Sequence, residues 1–397
     1  MNLSEFRSAF PAFADGVCFL DWAATGLLPE PARLAIHQYA DELASCPGGE
    51  STWMHGVHGK TRSDARALAA RMFGARAADV ALVESTTAGI NAAALVLPVR
   101  PDENVVLMSI DYLAVSTPWK TRAAREGFEL RWVGHSEGVI TSDDILASCD
   151  DRTRVVAVST ICWTTGALID LDQLAPALRE RGIHLVVDGI QTFGVVPVDV
   201  TRTPAAAWCV GGHKWLASVL GSGLMYVDPE IAAAYRPAAI GFLAGRPPRG
   251  QWWEWFSDPE ASPTDEVEFP PAGRTWETGG TPSYAGAIGL LHSMTLLEAV
   301  GTQDILDHVR GLGTHLIAGL DRLGLSVLTP RDPDRRAGII VFRVPGDGEA
   351  QRTTAAALQK AGVVVSVRFG GGVGGIRVSL HGPNDEGDVD RLLRELG

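Results

Sequence analysis

Between about residues 80 and 230 the chain alternates short β-branched runs with helical stretches, and this pattern narrows its possible folds more than any other feature. The runs include Val105–Leu107, Val155–Val158, Leu185–Val187 and Gly223–Val227. Helical candidates lie between them, such as Thr117–Arg125 and Gln173–Arg181, the second closed by Gly182. Strand–helix–strand alternation at this spacing predicts an α/β fold, its mostly parallel sheet covered on both faces. Such sheets bind ligands outside the carboxyl ends of their strands, so the chemistry is sought where the runs stop.

One strand end stands out. Leu185-Val186-Val187 terminates in Asp188, then Gly189-Ile190-Gln191-Thr192-Phe193-Gly194, and some 26 residues beyond Asp188 comes Gly211-Gly212-His213-Lys214-Trp215. An acid closing an apolar strand is poorly solvated and calls for a cationic partner. A protonated pyridine nitrogen is such a partner, and a lysine beside glycines, where backbone can approach a ring closely, suits a Schiff-base nucleophile. Alone, Asp188 reads as a turn or cap residue and Lys214 as a surface lysine. Their joint spacing points to chemistry.

Residues 246–275 interrupt the alternation with a proline-rich stretch carrying Trp252, Trp253, Trp255 and Phe256. A loop of that length with local structure is expected there. Helices are then expected at Ser283–Val300 and Gln303–Leu323. Strands follow at Gly338–Val344, Val363–Val367 and Gly375–Leu380, and a closing helix near Glu386–Leu396. This organisation divides the chain into a large domain, 17–282, and a smaller α+β domain built from 1–16 and 283–397. The formal net charge of −13 disfavours a nucleic-acid partner, because an acidic surface repels phosphate backbones. Five widely spaced cysteines without a CxxC pair argue against a disulfide framework or a zinc site and for a reducing cytoplasm. No secretory leader and no membrane partner are expected, since no apolar run approaches the roughly 18 residues that span a bilayer.

Asp188-Gly189-Ile190-Gln191 followed by Gly212-His213-Lys214-Trp215 resembles the signature of the pyridoxal-phosphate (PLP) enzymes of fold type I, class V aminotransferase-like. That family includes cysteine desulfurases, kynureninases and isopenicillin N epimerase-like proteins. The resemblance runs from Phe19-Leu20-Asp21-Trp22-Ala23-Ala24-Thr25-Gly26 to the C-terminal helix, with the motifs in family order. It implies PLP as cofactor, with Lys214 as its covalent anchor and Asp188 on the pyridine nitrogen. Gln191 is implied on the ring hydroxyl and His213 on the phosphate. Glu84-Ser85-Thr86-Thr87-Ala88-Gly89 matches the family's phosphate-binding helix start, which puts Thr86 and Thr87 on the phosphate; hydroxyls and free amides at a helix N-terminus favour a dianion. Tyr112 falls where relatives stack an aromatic or histidine on the ring, and Trp163 where many carry a cofactor-contacting asparagine; a core tryptophan is the other reading of Trp163. Trp276–Ser283 resembles the segment that reaches the neighbouring subunit's phosphate, which implies a homodimer with shared active sites and a contact from Thr281. Gly375–His381 matches the motif whose arginine, here Arg377, grips the substrate α-carboxylate in a bidentate fork. Arg368, His55, His58 and Trp252 are further substrate-side candidates, each equally open to a surface, core or interface role.

Two departures bear on function. Gly211 replaces a phosphate-binding serine of the desulfurases, and Phe369-Gly370-Gly371-Gly372-Val373-Gly374-Gly375-Ile376 lacks the cysteine that desulfurases use to accept sulfur. The expected activity is therefore a PLP-dependent enzyme acting on an amino acid, with β-elimination from a cysteine S-conjugate (a C–S lyase) favoured. Transamination and epimerisation stand as alternatives, and a non-catalytic regulator as an alternative of another class.

Overall fold

The computed structural model describes residues 1–50, 52–279 and 283–397. A central seven-stranded sheet is built from Val80–Val83 (β1), Asn104–Met108 (β2), Glu129–Val133 (β3), Thr153–Ser159 (β4), His184–Asp188 (β5), Ala207–Gly211 (β6) and Gly223–Val227 (β7). Its order is β1-β7-β6-β5-β4-β2-β3. All neighbours run parallel except β7, which is antiparallel to both β1 and β6. The alternation therefore gives the mostly parallel α/β sheet that it predicts, and β1, β3 and β6 join the runs singled out in the sequence.

Successive strand residues serve opposite faces, as the two-residue period requires. Val156, Val158, Leu185, Val187 and Trp208 point to one face. Val155, Ala157, Val186, Ala207 and Cys209 point to the other. Among the helices are Glu30–Ser45 (α1), Trp53–Phe73 (α2), Thr86–Val96 (α3), Leu113–Glu126 (α4), Leu171–Glu180 (α5) and Tyr284–Val300 (α6). Helix α5 covers the first face with Leu174 and Leu178. Helices α3 and α4 cover the second with Ile90, Ala93, Val115 and Trp119. With both faces covered, the edges where strands end are left for a ligand.

A second sheet of four antiparallel strands has the order Ser366–Gly370, Val373–Ser379, Ile339–Arg343, Ser326–Val327. The expected strand Val363–Val367 divides its work: Val363–Val364 pairs in parallel with Cys18–Phe19, while Ser366 onward enters this sheet. The chain's beginning is tied to its end. Arg7 donates from Nη1 to the Pro383 carbonyl at 2.6 Å and pairs with Asp388 at 2.7 Å. The proline-rich stretch has local structure, a short helix Trp252–Phe256 and an antiparallel bridge between Arg246 and Glu268. Among the described residues no helix is long and apolar enough to cross a membrane.

Candidate active site

Asp188 closes strand β5 and is almost wholly buried. Its Oδ1 accepts a hydrogen bond from the Ile190 amide at 2.9 Å, which turns the chain out of the strand. Its Oδ2 is buried with no partner among the described residues. Burial, reinforced by the charge of Asp111, pushes the Asp188 carboxyl far above the usual carboxylate range, while Lys214 draws it back. A buried oxygen left without a donor costs roughly 1–3 kcal/mol. The residue is therefore poised for a donor, and none is supplied among the described residues.

Lys214 follows strand β6. The loop carrying it is held by Gly212, whose amide donates to the Ser222 carbonyl at 2.8 Å, and by Gly26, whose amide donates to the His213 carbonyl at 2.7 Å. Gly26 passes so close that a Cβ there would sit 2.2 Å from the Lys214 carbonyl oxygen. Desolvation lowers the Lys214 ammonium pKa to about 8, with Arg377 and Arg368 pushing the same way against Asp188 and Asp21. Its Nζ lies 5.7 Å from the centre of the Tyr112 ring, within cation–π range.

A second orphan marks the other end. Ser85 caps helix α3 through the Ala88 amide, and Thr86 takes its first position. The Thr86 Oγ1 is buried without a partner among the described residues. A Cβ on Gly211 would lie 2.9 Å from that oxygen and 3.3 Å from the His213 ring. Thr86, Gly211 and His213 thus converge, and the glycine keeps the space beside the threonine hydroxyl clear. Thr87 faces outward on the same turn. Thr281 lies outside the described residues.

Arg377 is buried on Val373–Ser379. Its Nη1 donates to the Trp163 carbonyl at 3.2 Å and its Nη2 to Asp21 Oδ1 at 3.3 Å, while Nε has no partner among the described residues. Ser366 donates to the same Asp21 oxygen at 2.8 Å. Trp163 is anchored by its indole donating to the Ile110 carbonyl at 3.1 Å, and its ring meets Tyr112 edge-on at 5.4 Å. Gln191 accepts from the Trp215 indole at 2.8 Å and donates to the Ala23 carbonyl at 3.2 Å, so both ends of its amide are engaged. Arg368 stays near enough for its charge to bear on both Lys214 and Arg377.

Three sequence candidates settle elsewhere. His55 pairs with the Tyr284 hydroxyl at 2.7 Å, and His58 is buried against Tyr39 and Trp53, its Nε2 3.5 Å from Glu42. Both therefore sit in the packing of α2 against α1 and α6. Trp252 packs on Phe242, Trp255 and Phe256, an aromatic knot closed on itself that leaves Trp253 and Phe256 exposed. A cavity of about 630 Å³ lined by Thr141, Asp170, Thr192, Asp199 and Trp208 contains none of the candidates. Asp21, Asp111, Ser159 and Ser366 were missed, although Asp21 sits inside a quoted motif and Asp111 precedes Tyr112. Their polar side chains carry no signal until strands from distant segments bring them together.

A model of the aminotransferase class V family matches residues 18–392. The chain belongs to this family. The class V chain is 28% identical over 339 residues to isopenicillin N epimerase of Streptomyces clavuligerus, a match covering 84% of the chain and 83% of the epimerase. It is 26% identical over 341 residues to a probable cysteine desulfurase of Pyrococcus abyssi, covering 83% and 79%. Its fold is shared by the cysteine desulfurase of Thermococcus onnurineus, with a TM-score of 0.84, 23% identity and 98% and 96% of the two chains covered. It is also shared by a cystine C–S lyase solved with its product cysteine persulfide, with a TM-score of 0.86, 21% identity and 98% of each chain covered. The class V chain is a PLP-dependent enzyme, and the orphan oxygens of Asp188 and Thr86 suit the ring nitrogen and phosphate of that cofactor.

Proposed function

We propose that this enzyme cleaves the β-carbon–sulfur bond of a bulky cysteine S-conjugate, releasing a thiol, pyruvate and ammonium. In this reading Asp188 meets the pyridine nitrogen, Thr86, Thr87 and His213 hold the phosphate, Thr281 serves the neighbouring subunit's phosphate, Gln191 meets the ring hydroxyl, Tyr112 and Trp163 bound the ring, and Lys214 is the covalent anchor. The cofactor supplies an electron sink for charge developing at the substrate α-carbon. The protein supplies everything else. Arg377, through its unpartnered Nε and the adjoining Nη2, takes the α-carboxylate and fixes how the substrate is turned. Once the substrate's amine has displaced it, Lys214, its ammonium pKa lowered by burial to about 8, is free as a neutral amine to accept the α-proton at Nζ. Overall, the conjugate and one water give the thiol, pyruvate and ammonium, with the hydrogen of the thiol completing the balance.

The observation that carries the choice of reaction is the hairpin between Ser366–Gly370 and Val373–Ser379. It holds no cysteine to accept sulfur, and its tip is docked: a Cβ on Gly371 would lie 2.5 Å from Ile110, and the Gly371 carbonyl meets His135 Nε2 at 3.0 Å. Sulfur would then leave with its substituent. A homodimer sharing its active sites, in the cytoplasm, is part of the same reading. The test is incubation of the holoenzyme with S-benzyl-L-cysteine while thiol and pyruvate are followed. Both should appear in equal amounts. A keto acid formed only when a second keto acid is present would make the protein an aminotransferase, and inverted, uncleaved substrate would make it an epimerase.

A further inference from the structure

We propose that Asp111 is a positioning residue that keeps Asp188 available to the cofactor by taking the single hydroxyl proton of Ser159. The inference rests on the assignment of Asp188 to the pyridine nitrogen. Asp111 follows strand β2, and its carboxylate reaches the end of β4. Its Oδ2 accepts from the Ser159 amide at 2.8 Å, and its Oδ1 accepts from the Ser159 hydroxyl and from the Tyr112 amide, the last at 2.7 Å. Ser159 lies directly opposite Asp188 in the β4–β5 register, and its hydroxyl is near enough to draw the Asp188 carboxyl downward even while its hydrogen bond is held by Asp111.

A serine hydroxyl has one proton to donate. Because Asp111 takes it, Asp188 Oδ2 is left with no donor among the described residues. Without Asp111 the hydroxyl could turn to Asp188, satisfy that oxygen and stabilise the carboxylate. An already satisfied carboxylate, freed of a like charge beside it, has less affinity for a proton shared with a ring nitrogen. Asp111 therefore acts twice in one direction, by holding the competing donor and by its own negative charge. The groups facing Asp188 are Asp111 and Ser159, with Lys214 attracting it and the Cys209 thiol opposite it on β6. The same carboxylate fixes the Tyr112 amide at the start of helix α4, so the ring wall and the nitrogen partner are set by one residue.

The experiment loads the protein with PLP labelled with ¹⁵N in the ring and follows the nitrogen shift against pH, alongside the rate of cofactor release. Asp111→Ala should lose the ring proton about one pH unit lower, a tenfold fall in proton affinity, and release cofactor faster. Adding Ser159→Ala should recover part of the loss, because the competing donor is gone. Should Asp111→Ala not fold, Asp111→Asn removes the charge while keeping an acceptor, and a smaller shift of the same sign is expected. A double variant as impaired as Asp111→Ala, or worse, would reduce Asp111 to a structural brace and overturn the proposal. Asp188→Ala separates the two levels: if it leaves the ¹⁵N titration unchanged, the assignment of Asp188 itself fails. If Asp188→Ala abolishes ring protonation while neither Asp111 variant shifts the titration, only the present inference fails.

Discussion

Asp188 makes its own case at the scale of a single residue, because a group built for a ligand is costly without one. Its folded-state pKa is raised to about 7, so the folded protein holds the proton more tightly than the unfolded chain. The stability linked to that proton is complete below the ordinary carboxylate range and is lost as pH rises through about 7. Asparagine fills the same space without titrating. In cofactor-free protein, Asp188→Asn should therefore match the wild type near pH 4. It should gain on it progressively towards pH 8, by up to about 4 kcal/mol at 1.36 kcal/mol per unit. Parallel melting curves in the two proteins at each pH measure the difference; a constant offset would mean that Asp188 ionises freely. As candidates, Asp188 and Lys214 were legible in the sequence because a strand end and a glycine-flanked lysine are local features. Asp111 and Asp21 were not, because what makes them matter is a partner 48 residues away in one case and 356 in the other.

At the scale of elements, the β-branched runs that were named fall in four of the seven sheet strands, since strands buried on both faces are apolar throughout. Helix ends were placed to within a few residues: Ser283 caps Tyr284–Val300, and Gly182 ends the Leu171–Glu180 stretch with φ +67°. Short strands were harder. Val363–Val367 reads as one run, yet its first two residues pair with Cys18–Phe19 while Ser366 opens another sheet, a choice made by long-range pairing. The segment at Gly26 shows how such pairing builds the site. It crosses the lysine loop so closely that any side chain would meet the Lys214 carbonyl, a backbone atom with little room to give. Gly26→Ala should cost roughly 1–3 kcal/mol, as overpacking does, and should also weaken PLP retention because the loop carrying Lys214 must move. Denaturant midpoints and the rate of cofactor release test both effects, and an unaltered release rate would detach this segment from the site.

For the whole molecule, the proposed assignments tie the fold to its cofactor and substrate through three of the buried atoms left without a partner. Asp188 Oδ2, Thr86 Oγ1 and Arg377 Nε come from three different segments, and each is buried without a partner among the described residues. Folding brings them around Lys214 before any ligand is there, so part of the stability gained from packing is held in reserve. A ligand that binds only the folded state returns that reserve by mass action, about 2.7 kcal/mol at a free concentration a hundredfold above Kd. Adding PLP to cofactor-free protein should accordingly raise Tm in a concentration-dependent way. Lys214→Ala should keep the non-covalent share of that rise, because the oxygens of Asp188 and Thr86 remain, and should lose the rest. Thr86→Ala in the same background should shrink it further, since the hydroxyl beside Gly211 would be gone. A Lys214→Ala protein wholly indifferent to PLP would place all of the affinity in the covalent bond, leaving the orphaned oxygens no part in binding.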